Sequence, residues 1–297
     1  MIKQISLLSS QKEFFFSNEL HSAYIGGFGS GKSYVGCVKT IAKKLQYPQY
    51  NVAYYLPTYP LIKDIAFSKM SEILEHLEDP YQLNKSDKEI ILHRRGKIIM
   101  RSMEDPYKII GYEVAYSLID ESDVLPQEKM KEAFGKILAR NRVNLPPGHK
   151  NITDLVGTPE GFKFIYEFFV KNKTDNRKLI HAKTKDNPFL PKAYIETLKE
   201  TYTPAQLAAY LDGQFVNLTS GTVYREFNRK TNHNGRTLKQ NDVIHIGMDF
   251  NIMNMSAVVH VIDNDNYYAV QELTKVYDTM EMINQIKIGR ASCRERV

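Results

Sequence analysis

Gly26-Gly27-Phe28-Gly29-Ser30-Gly31-Lys32-Ser33 is the stretch on which the reading of this chain turns. It matches G-x-x-x-x-G-K-[ST] in full, a pattern that carries meaning only between a strand and a helix. Both neighbours are present. His21 to Ile25 is a strand-like run, and Lys32 to Leu45 carries Val35, Val38, Ile41, Ala42 and Leu45 at helical spacing. Glycines let the backbone curl around a phosphate and point successive N–H groups inward. The helix N-terminus adds partial positive charge. In such a loop Lys32 reaches the β- and γ-phosphates of a nucleotide, and the Ser33 hydroxyl ligates Mg²⁺. Residues 26–33 therefore predict an α/β nucleotide-binding domain that takes ATP with Mg²⁺.

A loop of this kind needs an acidic partner for the metal. Leu118-Ile119-Asp120-Glu121 closes an apolar run that begins at Val114. Asp120, at the strand end, is placed to hold Mg²⁺ through water, and Glu121 to polarise the attacking water as general base. The same pair also reads as a cap on the following helix. Adjacent acids at a buried strand end separate ATP-hydrolysing motors from kinases, which need no water-activating glutamate. Leu155-Val156-Gly157-Thr158-Pro159 is the end of the next strand, where the Thr158 hydroxyl can sense the γ-phosphate; alone it reads equally as a plain strand end and turn. Asn84-Lys85-Ser86-Asp87 matches the guanine-reading N-K-x-D. It precedes the acidic strand, where a GTPase has it after, and we read it as a chance match in a hairpin loop.

Further strands are expected at 51–56, 89–93, 97–103 and 153–156. Helices are expected at 61–78, after Pro126, and twice between 191 and 211. Strands alternating with helices predict a sheet with helices on both faces. Composition agrees: 25% charged and 42% hydrophobic residues describe a globular protein and exclude collagen-like or wholly disordered chains. A net charge of +6 fits a phosphate-bearing partner without requiring one. Two cysteines, Cys37 and Cys293, form no disulfide framework, which suits a reducing, cytoplasmic setting. No apolar run is long enough to span a membrane. From 217 to 240 the chain turns richer in Asn, Thr, Gly and Arg, with a short strand at 222–227. We place there a linker (219–240) between a first domain (1–218) and a second (241–287).

Taken in order, these residues resemble the large subunit of tailed-phage terminases, the DNA-packaging motors. Asp105-Pro106 with Lys108-Ile109-Ile110-Gly111 is similar to the stretch before that family's acidic motif, and Gly157-Thr158-Pro159 to its coupling motif. Asp186-Asn187-Pro188-Phe189-Leu190, Gly213-Gln214-Phe215 and Gly221-Thr222-Val223-Tyr224-Arg225-Glu226-Phe227 resemble the end of the motor domain and its link to a nuclease. The resemblance implies an ASCE-type P-loop ATPase with a parallel-core sheet, translocating double-stranded DNA into a capsid. It implies a homo-oligomeric ring on the portal protein, a small terminase subunit as partner, and Gln11 as the residue that reads adenine. It also implies an arginine that completes the site. Many terminases carry a basic residue inside the P-loop, where this chain has Phe28. Arg140 and Arg142 are candidates, and both read equally as solvated loop residues.

The second domain resembles the start of an RNase H-like α/β nuclease that uses Mg²⁺ or Mn²⁺. Strands are expected at 243–250, 256–262 and 267–273. Asp249 interrupts an otherwise apolar strand and is the expected metal ligand, with Glu272 as a second; Asp249 also reads as a strand-end aspartate facing solvent. The further acids of a two-metal site are not found, so no nuclease activity is expected of this chain alone. Residues 288–297, rich in Arg, read as foreign to the preceding sequence or as a basic DNA-binding tail. A helicase or repair ATPase, a non-catalytic nucleotide-binding module and a small-molecule kinase are the rival readings.

Overall fold

Side-chain alternation along the central strands decides how the sheet is covered. Tyr24, Tyr54, Leu118 and Val156 point to one side and Ala23, Ile25, Ala53, Tyr55, Ile119 and Leu155 to the other, all fully buried. A strand buried on both faces needs helices above and below it. The computed structural model describes residues 4–218, 231–251, 254–264 and 266–294. They divide into two units, Met1–Ser220 and Gly221–Val297.

The first unit begins with α1 (Ser9–Phe16), β1 (His21–Gly26), α2 (Lys32–Gln46) and β2 (Val52–Leu56). Next come α3 (Tyr59–Leu61), a π-helical stretch (Ile62–Phe67) and α4 (Ser68–His76) as one continuous helical segment. Then follow β3 (Tyr81–Asn84), β4 (Glu89–Leu92), β5 (Gly96–Ser102), β6 (Tyr116–Asp120), α5 (Gln127–Arg140), β7 (Ile152–Gly157), α6 (Phe164–Tyr166), β8 (Arg177–Ala182), α7 (Lys192–Thr201) and α8 (Pro204–Tyr210). The strands form one sheet in the order β3-β4-β5-β2-β6-β7-β1-β8. From β5 to β8 every pairing is parallel, and β3 and β4 add an antiparallel hairpin at one edge. One strand, β7, lies between the loop strand β1 and the acidic strand β6, which is the ASCE arrangement. The parallel-core α/β expectation holds.

Two local features differ from the sequence reading. The expected helix at 61–78 contains a π-helical stretch, whose wide turn brings Ile62, Ala66 and Phe67 all into the core. β3 falls outside the expected strands, because Tyr81-Gln82-Leu83-Asn84 is half exposed and only weakly apolar. Its presence explains Asn84-Lys85-Ser86-Asp87. Asn84 Nδ2 donates to Asp87 Oδ2 at 2.9 Å and Asn84 Oδ1 accepts from the Asp87 N–H at 3.0 Å, closing the β3–β4 turn.

One polar group crosses the core. Lys39 of α2, 1% exposed, meets Asp154 of β7, 0% exposed, at 2.7 Å. The carboxylate also accepts from Tyr116 Oη (3.0 Å) and the Ser22 N–H (3.0 Å). The lysine donates in addition to Phe14 O (2.8 Å) and Ser17 Oγ (2.9 Å). A buried ion pair is tolerated when its remaining valences are satisfied in this way.

In the second unit, β9 (Ile244–Asp249), β10 (Met255–Asp263) and β11 (Asn266–Val276) form an antiparallel sheet in the order β11-β10-β9, followed by α9 (Thr279–Arg294). Met255, Ala257, Leu273, Val276 and Met282 make its core. Three antiparallel strands with a helix after them fit the start of an RNase H-like sheet. The helix runs on through 294, across the composition change at 288. The expected strand at 222–227 and the Gly221–Phe227 motif lie outside the described residues.

Candidate active site

The loop after β1 is built by close approach. Gly31 is left-handed, with φ 80° and ψ 26°, and a Cβ there would lie 2.4 Å from Gln11 Nε2. A Cβ on Gly27 would lie 2.4 Å from Thr184 Oγ1 and 2.5 Å from Tyr210 O. No other residue type fits these two positions without displacing its neighbours. A clasp from the end of the first unit holds the outside of the loop. Thr184 Oγ1 donates to Phe28 O at 2.8 Å, Asn187 Nδ2 to Gly29 O at 2.6 Å, and the Phe28 N–H to Tyr210 O at 2.6 Å. The Phe28 ring stacks on Tyr210 with centroids 4.7 Å apart and planes at 18°. Ser30 Oγ closes the loop on Gly27 O at 2.7 Å.

Lys32 opens α2 and points back over the loop, donating to Gly27 O at 3.0 Å. It is 6% exposed. Burial pulls its ammonium below the ordinary lysine range, and Glu121 and Asp120 pull it back up. The three groups therefore lie within reach of one another's charge, although the lysine and the acids come from different strand ends. That is a direct consequence of β1, β7 and β6 lying side by side and parallel.

Asp120 ends β6 and is fully buried. Oδ2 accepts from Tyr54 Oη at 2.7 Å, while Oδ1 has no hydrogen-bond partner. Burial and the adjacent Glu121 hold the carboxyl above the usual range, against the Tyr54 hydrogen bond and the nearby Ser33 hydroxyl. A buried carboxylate oxygen without a partner is costly. An orphaned hard oxygen beside the Ser33 hydroxyl fits Mg²⁺, which takes one or two protein oxygens and keeps waters and phosphate oxygens for the rest.

Glu121 follows at φ 53°, ψ 45°. Its N–H donates to Val156 O (2.9 Å) and its Oε2 accepts from the Thr158 N–H (3.2 Å). Burial raises its proton affinity and Lys32 lowers it. Thr158, at the end of β7, is 2% exposed and its hydroxyl has no partner. Gln11 also reaches the loop. Its Nε2 donates to Gly31 O (3.2 Å) and its Oε1 accepts from the Leu8 N–H (2.9 Å). Beside it opens a cavity of about 700 Å³ lined by Gln11, Gly31, Tyr34, His76, Asn187 and Phe189 among others.

Arg140 and Arg142 are not brought here. Arg140 O accepts from the Val114 N–H, before the start of β6, and Arg142 pairs with Glu113 at 2.9 Å. Both lie at the opposite end of β6 from Glu121, roughly 20 Å away at ~3.3 Å per strand residue. Neither completes this chain's own site. In the second unit Asp249 is the last residue of β9, exposed, and accepts from Asn251 Nδ2 at 2.6 Å, so it ends the strand instead of interrupting it. Asp249 pairs with Ser256, and Glu272 with Val258, so the two acids share the sheet face opposite the core. Among the described residues no three His, Cys, Asp or Glu side chains gather to hold a metal.

Sequence reasoning missed Asp123, two residues past Glu121. It is 1% exposed, its Oδ1 accepts from the Ile165 N–H (3.1 Å), and Lys163 Nζ donates to its carbonyl (2.8 Å). It thus staples the turn carrying Glu121 to the chain beyond Thr158. Burial pushes its carboxyl up to about 7 from 3.8. Since the folded state holds this proton more tightly, its contribution to stability is full below about pH 4 and is lost as pH rises toward 7. We expect Asp123→Asn to flatten the fall in unfolding free energy between pH 4 and 7, by up to ~4 kcal/mol at ~1.4 kcal/mol per pH unit. Urea titrations across that range measure it, and a slope identical to the parent's would remove Asp123 as its source.

No curated protein sequence matches the chain. Among solved structures, the large terminase of a thermophilic bacteriophage in complex with ADP superposes with a TM-score of 0.62 at 15% identity, covering 98% of this chain and 75% of that one. The ATPase domain of the Thermus phage P74-26 large terminase gives a TM-score of 0.59 at 16% identity, covering 72% of this chain and 96% of that one. The bacteriophage HK97 large terminase gives 0.53 at 13% identity, covering 97% and 67%. At these identities the likeness is one of fold. The sequence profile described as "Terminase large subunit, T4likevirus-type, N-terminal" matches residues 23–231. With most of its length covered by that profile, and with the fold and the loop geometry in agreement, the chain belongs to the terminase large-subunit family.

Proposed function

We propose that the chain is the ATP-hydrolysing subunit of a motor that moves double-stranded DNA into a viral capsid. One observation carries the reading: Lys32, Asp120, Glu121 and Thr158 converge at the C-terminal ends of the central strands, beside a loop whose Gly27 and Gly31 positions only glycine fits. The large terminase of the thermophilic phage has been solved with ADP and with ATP-γ-S, which supports the nucleotide assignment. In this reading Gly26, Gly27, Phe28, Gly29, Ser30 and Gly31 form the loop that wraps the phosphates, with the Phe28 N–H held by Tyr210 O on its outer side, Lys32 leaves Gly27 O for the γ-phosphate, and Gln11 reads the adenine edge at the mouth of the cavity. Ser33 and Asp120 hold Mg²⁺, which supplies positive charge where the leaving phosphate gains negative charge. Glu121 orients the attacking water and takes its proton. The unpaired Thr158 hydroxyl reports loss of the γ-phosphate to the chain that Asp123 anchors.

The motor works as a ring at the portal, with a small terminase subunit, in the host cytoplasm. Among the described residues no helix is long and apolar enough to cross a membrane. Asp249 and Glu272 are the metal ligands of a nuclease face that cuts DNA with Mg²⁺ or Mn²⁺ once further acids join them. The motor domain is 1–218, followed by a linker (219–240) and the nuclease portion (241–287), with 288–297 outside it; the division of the chain near 220 supports the first of these boundaries. The test is phosphate release from ATP by the purified chain, with and without EDTA. Magnesium-dependent release is the expected result, and its absence at saturating ATP would overturn the proposal.

A further inference from the structure

Tyr54 lies outside the P-loop and outside every motif, yet it makes a short polar contact to the acidic strand. Its hydroxyl is fully buried and 2.7 Å from Asp120 Oδ2. Cys37, on α2 one turn beyond Ser33, is fully buried and lies beside the same hydroxyl. The tyrosine O–H donates to the carboxylate, which leaves its oxygen free to accept from the neighbouring Cys37 thiol. The chain Cys37–Tyr54–Asp120 runs from α2 through β2 to β6 and ties down one carboxylate oxygen only. The other, Oδ1, is the orphan.

We propose that Tyr54 is a positioning residue: by fixing Oδ2 of Asp120 it turns Oδ1 toward the Mg²⁺ held with Ser33, and Cys37 locks the tyrosine in that role. The inference rests on the ATPase reading above. Residues that orient a metal-binding carboxylate typically govern metal affinity by about 10- to 100-fold, while contributing nothing to the phosphate contacts of the glycine loop. Tyr54 therefore sets how much Mg²⁺ the site needs, and leaves nucleotide affinity without metal untouched.

The experiment titrates MgCl₂ into purified protein with a fluorescent ADP analogue, for the parent, Tyr54→Phe, Cys37→Ala and Tyr116→Phe. Tyr116 is an equally buried tyrosine that donates to Asp154 instead, and serves as the control. Tyr54→Phe is expected to raise the half-saturating Mg²⁺ concentration by about 10- to 100-fold, with Cys37→Ala shifting it less and in the same direction. Tyr116→Phe is expected to leave it in place. ADP affinity in EDTA is expected to match the parent in all three variants, which also shows that they are folded. Steady-state turnover should recover at saturating Mg²⁺, a split that a general loss of structure does not produce. An unchanged Mg²⁺ requirement in Tyr54→Phe, or a parallel loss of ADP affinity in EDTA, overturns the role of Tyr54 alone. A parent protein that binds ADP without any Mg²⁺ dependence overturns the ATPase reading and this inference with it.

Discussion

Glu121→Gln is expected to lower ATP turnover by about 10²–10⁴-fold, the range for loss of a general base, while ADP still binds. The reason lies in how the glutamate is held. Its left-handed backbone, φ 53° and ψ 45°, costs a non-glycine residue on the order of 1–3 kcal/mol. The strain persists because the bond from its N–H to Val156 O and the bond it accepts from the Thr158 N–H both depend on that turn. The result is a buried carboxylate beside Lys32 with a raised proton affinity, which favours taking a proton from water. Glutamine has the same shape and its carbonyl oxygen still accepts from Thr158, so the fold is kept. What it lacks is the capacity to accept a proton in the reaction. Phosphate release under saturating ATP and Mg²⁺ measures the difference, and a variant within a few-fold of the parent would remove Glu121 as the base.

The contrast with Tyr54 shows what chain order reveals and what it hides. Lys32, Ser33, Asp120 and Glu121 are legible because each sits at a strand end or helix start whose position the local pattern marks. Gln11 is suggested by the family resemblance and the structure brings it to the loop, while Thr158, legible as the end of the next strand, meets Glu121. Tyr54 gives no such signal. Its partner Asp120 is 66 positions away, and alternation along β2 tells only that the side chain is buried, not what it meets. The clasp on the P-loop is similar, with Thr184 and Phe28 separated by 156 positions. Arg140 and Arg142 fail as site residues for the converse reason. They follow Glu121 closely in sequence, but α5 returns the chain to the far end of the sheet before they occur.

In the second unit the three strands are readable because alternation is strong in β10, where Met255, Ala257, Val259 and Val261 are buried in turn. The environment of Asp249 is not. A carboxylate after Ile244-His245-Ile246-Gly247-Met248 reads as an interruption of an apolar strand only if the strand continues past it. It ends there, and Asp249 faces solvent on the same sheet face as Glu272.

Two buried lysines on α2 give the sharpest separation of function from stability. Lys32 rests on a neutral carbonyl, Gly27 O, with the carboxylates of Asp120 and Glu121 only near enough to pull on its charge. Lys39, two turns along, is paired directly with Asp154 and donates to Phe14 O and Ser17 Oγ as well. Removing Lys32 takes away a cation whose desolvation is only partly offset by its single carbonyl bond, and lets the two acids take up protons. Removing Lys39 leaves the buried Asp154 charge without its counterion, a loss of about 3–5 kcal/mol. Lys32→Ala is therefore expected to lower ATP turnover by at least about 10²–10³-fold, as for loss of one charge-stabilising donor, with little change in melting temperature without nucleotide. Lys39→Ala is expected to melt about 6–20 °C lower, at ~2–4 °C per kcal/mol for a domain of this size. Its turnover per folded molecule should stay near the parent's at low temperature. Melting curves and phosphate release on the same two proteins decide the matter. If the stability loss fell on Lys32→Ala and the activity loss on Lys39→Ala, the assignment of the P-loop lysine would fail along with the site built around it.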